Sequence, residues 1–168
     1  MNKLHVYLAL AVLIIPALAV DSNQSVVNTK APQFTLLDQY NRPYNIKQDE
    51  GKLIILLASD RDGSVQNEAW VKSVEKRYRN EVTIIGIADL RGVPRVLKLI
   101  VLREFKKCPA SVLMDWNGDV FISYGLAQKA ANIVLIDRKG FIRYIYYGEA
   151  TTDARESLFK EIDVLSNK

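Results

Sequence analysis

Four consecutive residues, Arg61-Asp62-Gly63-Ser64, stand where a chain of this pattern could carry chemistry. They follow residues 53–57, which read LIILL, and a helical pattern begins at Val65. The stretch Lys52–Tyr78 therefore predicts a buried strand, a tight elbow and a helix N-terminus, the usual place for a reactive group in α/β proteins. The elbow, residues 58–64, carries Asp, Arg and Ser but neither Cys nor His. The sequence therefore predicts where a reactive group would lie, but the residues of the elbow do not indicate a reaction.

Histidine and cysteine are almost absent from the chain. The only His is His5, inside a predicted signal peptide, and the only Cys is Cys108. Without His in the mature chain, Ser-His-Asp and Cys-His catalysis and His metal ligation are excluded. A single Cys excludes an internal disulfide, a CxxC pair, a Cys-rich zinc site and c-type haem attachment. We expect no cofactor, no metal and no catalytic residue of the usual kinds.

Two interpretations of Cys108 stay open. It precedes Pro109 at the start of a predicted strand, residues 110–115, and it is far in sequence from the elbow. An inert, partly buried thiol is one interpretation. The other is an intermolecular disulfide or a weak redox role, which the neighbouring cations Lys106 and Lys107 would favour by stabilising a thiolate.

Asp60 and Asp62 flank Arg61 at the predicted helix start. Capping and mutual pairing explain this arrangement, because acidic side chains stabilise helix N-termini. A cation loop is a weaker interpretation, since the spacing is not that of an EF-hand. A third possibility is a small anion or peptide-carboxylate site served by Arg61 and the helix amides.

Five tyrosines are predicted on two hairpins, and alternation along the second hairpin divides three of them between opposite strand faces. Edge-strand packing is one interpretation of them, and a peptide-docking edge is the other. The residues are Tyr40, Tyr44, Tyr144, Tyr146 and Tyr147.

Length and charge fit one globular domain. The chain has 168 residues, 49% hydrophobic, and a formal net charge of +4 without a long basic run, so we expect no nucleic-acid partner. Residues 1–19 predict a signal peptide, with Lys3, an apolar segment and a small-residue site ending at Ala19. Residues 20–30 predict a flexible lead-in, and residues 31–168 the domain. We expect a periplasmic or secreted protein without membrane contact after signal cleavage, and with an unknown periplasmic protein or peptide as partner.

The elements follow in a simple order: hairpin, β-α-β-α, strand, short connection, β-hairpin and helix. This order predicts an α/β fold with a mixed sheet and helices on both faces. Ser64 is the predicted N-cap of the first helix, whose inner face holds Val71, Val74 and Tyr78, with Trp70 beside them. Pro94 is predicted to begin a helix that runs to about Phe105, and Thr152 to cap the last one. Inner positions of these two helices are Leu97, Ile100, Val101, Phe105, Ala154, Leu158, Ile162 and Leu165.

Three short motifs resemble the redoxin group of thioredoxin-fold proteins, which includes the AhpC/TSA peroxiredoxins and the TlpA/ResA-like exported thioredoxins. Residues 31–38, APQFTLLD, are similar to the group's "AP-x-F-x-L-x-D" opening. Residues 82–89 match its second central strand, and residues 135–142, LIDRKGFI, its "LID-x-x-G-x-I" hairpin, which Gly148 closes. The resemblance implies a thioredoxin-like fold with an N-terminal β-hairpin. The C-terminal tail, residues 134–168, most closely resembles the ending of the YtfJ-type periplasmic proteins, a strand-hairpin followed by "G-x-x-T" and a helix.

The resemblance fails at the chemistry. Aligned on Ala58-Ser59, Asp60 stands at the family's Trp position and residues 61–64 at its Cys-x-x-Cys positions. Ala131 replaces the cis-proline that faces the pair. Thiol exchange needs a thiolate, and the hydroxyl of Ser64 has no base to activate it. The site is therefore predicted to be degenerate, in a redox-inactive protein that acts by binding or as a partner subunit. The alternative is a divergent redoxin-type oxidoreductase or antioxidant that uses Cys108.

Overall fold

The structure, a computed structural model, describes residues 26–166. The predicted signal peptide and its cleavage site lie outside the described residues, as does most of the lead-in. The strands are β1 (Thr35–Leu37), β2 (Pro43–Asn45), β3 (Leu53–Ser59), β4 (Val82–Asp89), β5 (Val112–Asp115), β6 (Asn132–Ile136) and β7 (Ile142–Tyr147). The α-helices are α1 (Asn67–Tyr78), α2 (Lys98–Phe105), α3 (Asp119–Ser123) and α4 (Thr152–Ser166). Short 3₁₀ turns cover Ile46–Asp49, Gly63–Gln66 and Arg95–Leu97.

Five strands form a mixed sheet in the order β5-β4-β3-β6-β7. The β3-β4 and β4-β5 pairs are parallel, and the β3-β6 and β6-β7 pairs are antiparallel. At the centre, Leu56 pairs with Ile85 on one side and Val134 on the other. Strands β1 and β2 form a separate antiparallel hairpin. This confirms the predicted α/β architecture with an N-terminal hairpin.

Strand β3 is buried along its whole length, so its alternating side chains supply both faces of the core. Leu53, Ile55 and Leu57 pack in one cluster with residues of α1 and α4. Ile54 and Leu56 belong to a second cluster, which contains residues of α3 and is covered by the hairpin. Because both faces are covered by other elements, the continuous apolar run of β3 is what a central strand requires.

The start of α1 differs from the prediction in its cap. Ser64 is not the N-cap: its hydroxyl donates to Arg61 O (2.6 Å), and the carboxylate of Asp60 accepts the Gly63 N–H (2.8 Å). The regular helix begins at Asn67, after the 3₁₀ turn. The N-cap position of α1 is Gln66, which makes no side-chain cap hydrogen bond. Asp60 instead binds an amide of the 3₁₀ turn that precedes the helix, because a carboxylate three residues ahead of an orphan amide can reach it.

The inner face of α2 was predicted wrongly. Leu97 and Ile100 are 40% and 59% exposed, whereas Leu102 is buried. Val101 and Phe105 pack partly against Leu102 and its cluster, as expected. Residues 96–102 (VLKLIVL) are apolar almost all round the helix, so periodicity alone does not select the buried stripe.

Two other helices do begin at side-chain caps. The predicted short connection after β5 contains α3, whose N-terminal amides at Asp119 (2.9 Å), Val120 (3.0 Å) and Phe121 (3.3 Å) donate to the buried carboxylate of Asp115. At α4, Thr151 accepts the amide of Ala154, so Thr151, not Thr152, is the cap. The inner face of α4 is otherwise as predicted.

The last residues of the predicted flexible lead-in are attached to the fold. The amide of Asn28 donates to Ile142 O (2.7 Å), and the amide of Ile142 donates to Thr29 O (2.9 Å). Lys30 forms a β-bridge with Phe141. Residues 28–30 therefore lie along the start of β7 and belong to the domain.

Candidate functional site

The elbow follows the C-terminal end of β3. It lies at the edge of the sheet where the parallel strands β4 and β5 also end. Arg61, Asp62 and Ser64 are exposed there, whereas Gly63 is buried. The sequence placed the elbow correctly: a buried strand leads into it and a helix follows it. What lies opposite the elbow decides its chemistry.

The loop before β6, residues 127–131, lies directly against the elbow. The second carboxylate oxygen of Asp60 accepts the amide of Lys129 (2.7 Å). The side-chain oxygen of Gln66 accepts the amide of Ala131 (3.0 Å). These hydrogen bonds join residues 65 and 69 positions apart, so they hold two distant segments together rather than shaping one turn.

Gly63 makes the closest approach of the two segments. A methyl group added at Gly63 would overlap the backbone carbonyl of Ala130, so only glycine fits. Ala131, the residue at the family's cis-proline position, is completely buried. Its peptide bond is trans, as are all the others among residues 26–166. The space between elbow and loop is therefore filled by the protein's own backbone.

Asn132, the first residue of β6, holds this loop in place through its side chain. Its side-chain amide donates to Ala58 O (2.9 Å) in β3 and to Ala127 O (2.9 Å), and its oxygen accepts the amide of Ala127 (2.7 Å). Asn132 is fully buried, so these bonds satisfy a polar group that would otherwise be costly in the core. Neither Gln66 nor Asn132 was singled out from the sequence, because nothing in their local spacing indicates bonds to residues so distant.

The exposed elbow side chains offer no reaction of the usual kinds. Ser64 donates to a backbone carbonyl, and no hydrogen bond joins its hydroxyl to a side chain of residues 26–166 that could activate it. The expected pairing of Arg61 with Asp60 or Asp62 does not occur, since none of the ion pairs of the described chain includes Arg61. The described residues also hold no group of three or more acidic, His or Cys side chains suited to a metal.

Cys108 is a half-buried free thiol in the connection between α2 and β5. Its amide donates to Phe105 O (3.0 Å) at the end of α2. Strands β3 and β5 run in the same direction, and the elbow follows the C-terminal end of β3. Cys108 precedes the N-terminal end of β5, so it lies toward the opposite edge of the sheet. The fold therefore does not bring Cys108 to the degenerate site.

The five tyrosines do not form one surface. Tyr144 and Tyr146 pack against α1 and α4, and Tyr44 and Tyr147 pack on the opposite side of the sheet. Tyr40 is exposed on the N-terminal hairpin and lies under the guanidinium of Arg42. This separation supports ordinary packing rather than one tyrosine-lined docking edge.

Strong pKa shifts occur where hydroxyls are buried in the structure. Burial raises the pKa of Tyr144 to about 12, and the Tyr144 hydroxyl donates to Ala154 O (3.3 Å) in α4. Burial also raises the pKa of Tyr124, whose hydroxyl donates to Pro32 O (2.7 Å). Both phenols therefore tie distant segments together as neutral hydrogen-bond donors.

Comparison of the structure with solved structures finds proteins of one fold. A Chlorobium tepidum protein provisionally named as the thiol:disulfide interchange protein DsbE is 18% identical, with a TM-score of 0.65, over 83% of this chain and 97% of its own. An exposed lipoprotein thioredoxin from Streptococcus pneumoniae is 17% identical, with a TM-score of 0.62, over 77% and 99%. The thioredoxin domain of a Bacteroides vulgatus thiol-disulfide oxidoreductase is 19% identical, with a TM-score of 0.58, over 81% and 97%.

The sequence comparisons give a different result, because no family model and no curated protein matches the chain. Identities this low show a shared fold and not a shared activity. The mixed five-stranded sheet, its helices and the N-terminal antiparallel hairpin are consistent with this likeness. The chain has the thioredoxin-like fold.

Proposed function

We propose that this protein performs no thiol-disulfide exchange at its elbow and acts by binding, as a partner subunit in the periplasm. The observation that carries the proposal is the closure of the elbow by the loop before β6. The family's reactive positions hold Arg61-Asp62-Gly63-Ser64, and Ala131 replaces the opposing proline. The amides of Lys129 and Ala131 are occupied by Asp60 and Gln66.

Closure matters because a disulfide substrate must reach the reactive group through the space between elbow and loop. In this chain the Gly63–Ala130 approach fills that space. Loss of the thiols alone would leave an open groove, whereas here the groove and the thiols are lost together. This combination favours a scaffold that has kept the fold and given up the reaction.

Reductase and peroxidase assays test the proposal directly. Insulin-disulfide reduction by the protein with dithiothreitol, and peroxide consumption, should both equal the rate without protein. An active thioredoxin and an active peroxiredoxin provide positive controls at the same concentration. Protein-dependent turnover in either assay would contradict the proposal.

A divergent oxidoreductase that uses Cys108 is the second candidate. The free, half-buried thiol next to Lys107 favours it, since a neighbouring cation stabilises a thiolate. Any activity from this source disappears in Cys108→Ala. Isolation of the protein from its native periplasm with and without reductant separates the two roles: a reductant-sensitive partner supports Cys108 chemistry, and a partner retained under reductant supports binding.

Export and YtfJ-type kinship belong to the same proposal. The apolar segment and small-residue site of residues 1–19 support export by a cleaved signal. The tail after β6, with its hairpin and final helix, supports the YtfJ-type kinship. N-terminal sequencing of the periplasmic protein should begin at Val20, and an N-terminus at Met1 would contradict cleavage.

A further inference from the structure

Four aliphatic side chains lie exposed within five positions before and within α2, with Lys98 between them. Val96 is 84% exposed, Leu99 80%, Ile100 59% and Leu97 40%. They belong to residues 95–107, called here the α2 segment. Single exposed aliphatic residues are common on protein surfaces, but four within five positions form a patch that needs a separate explanation.

The α2 segment also carries the chain's excess of positive charge. It contains five basic residues and one acidic residue, Glu104. Taking these from the chain's 23 basic and 19 acidic residues leaves 18 of each, so the remainder is neutral. The basic residues of the segment are Arg95, Lys98, Arg103, Lys106 and Lys107. An occupant of this surface is therefore expected to be anionic.

Most of this charge is not neutralised within the described part of the chain. Lys107 pairs with Glu104 (2.6 Å), and this pair is exposed. Arg95 and Arg103 take part in none of the ion pairs of residues 26–166. Lys98 lies over the ring of Trp116, 4.9 Å from its centroid. The guanidinium groups are thus available to bind phosphates.

We propose that the α2 segment binds the surface of an anionic phospholipid bilayer. The aliphatic side chains would lie at the boundary between headgroups and acyl chains, and the basic side chains would contact lipid phosphates, as in interfacial amphipathic helices. Leu102 and Phe105 keep the opposite side of α2 packed on the domain, so binding requires no unfolding. Within residues 26–166, no helix is long and apolar enough to cross the bilayer, so this contact is peripheral.

A bilayer fits the patch better than a protein partner does. Protein interfaces are centred on Trp, Tyr and Arg anchors, and aliphatic residues such as Leu and Val are under-represented among them. The exposed apolar side chains here are all aliphatic. A patch of about one and a half turns is also small against the roughly 800 Å² per partner of a stable protein interface. The inference replaces the expectation of no membrane contact, which rested on the N-terminal segment alone, and it is independent of the proposed function.

Vesicle co-sedimentation tests the proposal with the chain that begins at Val20, because residues 1–19 carry an apolar segment of their own. All described strands and helices are retained in this chain. It should bind vesicles of 30% phosphatidylglycerol in phosphatidylcholine at least tenfold more strongly than pure phosphatidylcholine. Raising NaCl from 0.1 to 0.5 M should weaken the binding. Binding to neither vesicle, as expected for a surface that recognises an acidic protein, or equal binding to both, would overturn the proposal.

Paired variants locate the contact. Leu99→Gln with Ile100→Gln should weaken binding to the anionic vesicles at least tenfold, and Arg103→Gln with Lys107→Gln should weaken it and reduce its salt dependence. Val65→Gln with Ile122→Gln replaces two aliphatic residues outside the segment that are at least as exposed as Leu99 and Ile100, and it should change binding less than twofold. All these positions are exposed, so near-UV circular dichroism should be unchanged. Equal binding by the Leu99/Ile100 and control variants would overturn the assignment to α2.

Discussion

Asp137 joins the turn after β6 to strand β7. Its carboxylate accepts the amides of Lys139 (2.8 Å) and Phe141 (2.9 Å) and the Nε–H of Arg143 (2.7 Å). Burial by itself would raise the pKa of Asp137, but the hydrogen bonds from Phe141, Arg143 and Lys139 and the charge of Arg143 outweigh it. The pKa is therefore held below the ordinary value of 3.8.

Asp137→Asn should lower the free energy of unfolding at pH 7 by about 1–3 kcal/mol, because the charged acceptor is lost. A depressed pKa in the folded state contributes stability above the unfolded-state pKa, and this contribution is lost as the pH falls through the folded value. The difference between variant and parent should therefore shrink below about pH 4. Urea unfolding from pH 7 to pH 2 measures it. Asp62→Asn, on an exposed side chain, is the control, and an Asp137→Asn deficit that is constant with pH would contradict the assignment.

Gly63 is the second residue whose identity the structure explains. Gly63→Ala places a methyl group against the backbone of Ala130, so elbow and loop must separate. We expect a loss of about 1–3 kcal/mol in urea unfolding, the usual cost of overpacking. At Gly92, an added methyl group meets nothing within 4 Å, so Gly92→Ala should change stability by less than about 0.5 kcal/mol. Equal effects of the two variants would show that the elbow is not closed in solution.

At the scale of single elements, strands were predicted better than helix faces. The run Leu53–Leu57 is apolar throughout and short, which suits a central strand and little else. In α2, by contrast, apolar residues occur on every side, so the buried stripe depends on where the sheet lies and not on helical periodicity. Helix α3 was missed for a related reason: its start depends on the buried carboxylate of Asp115, which precedes it by four residues.

The corrected stripe of α2 makes a quantitative prediction. Leu102→Ala should lower the free energy of unfolding by about 2–3 kcal/mol, because it leaves a cavity beside Ala88 and Met114. Ile100→Ala removes an exposed side chain of the same size from the same helix and should change stability by less than about 0.5 kcal/mol. Urea unfolding of both variants under one set of conditions compares them. A larger loss of stability for Ile100→Ala than for Leu102→Ala would show that the face predicted from periodicity is the buried one.

At the scale of the molecule, the position of the site follows from short-range patterns, but its closure does not. Motifs at residues 31–38 and 135–142 lie in the right order for the fold, and they place Ala131 opposite the elbow. The hydrogen bonds that close the site run from the Ala131 amide to Gln66 and from the Lys129 amide to Asp60, and they join segments more than 60 residues apart. Such contacts become visible only when the whole sheet is assembled.

Restoring the two cysteines tests whether closure, and not only the missing thiols, prevents the reaction. Arg61→Cys with Ser64→Cys, made in a Cys108→Ala background to avoid mispairing, recreates the spacing of a CxxC pair. Because Ala130 still lies on Gly63 and Gln66 still binds the Ala131 amide, a substrate disulfide gains no access to the new thiols. We expect insulin reduction to stay at least 100-fold below that of an active thioredoxin, about 2.7 kcal/mol in activation free energy. Ser64→Cys alone in the same background controls for a lone exposed thiol. Reduction by the double variant within tenfold of thioredoxin would show that the groove is open and that only the thiols were lost.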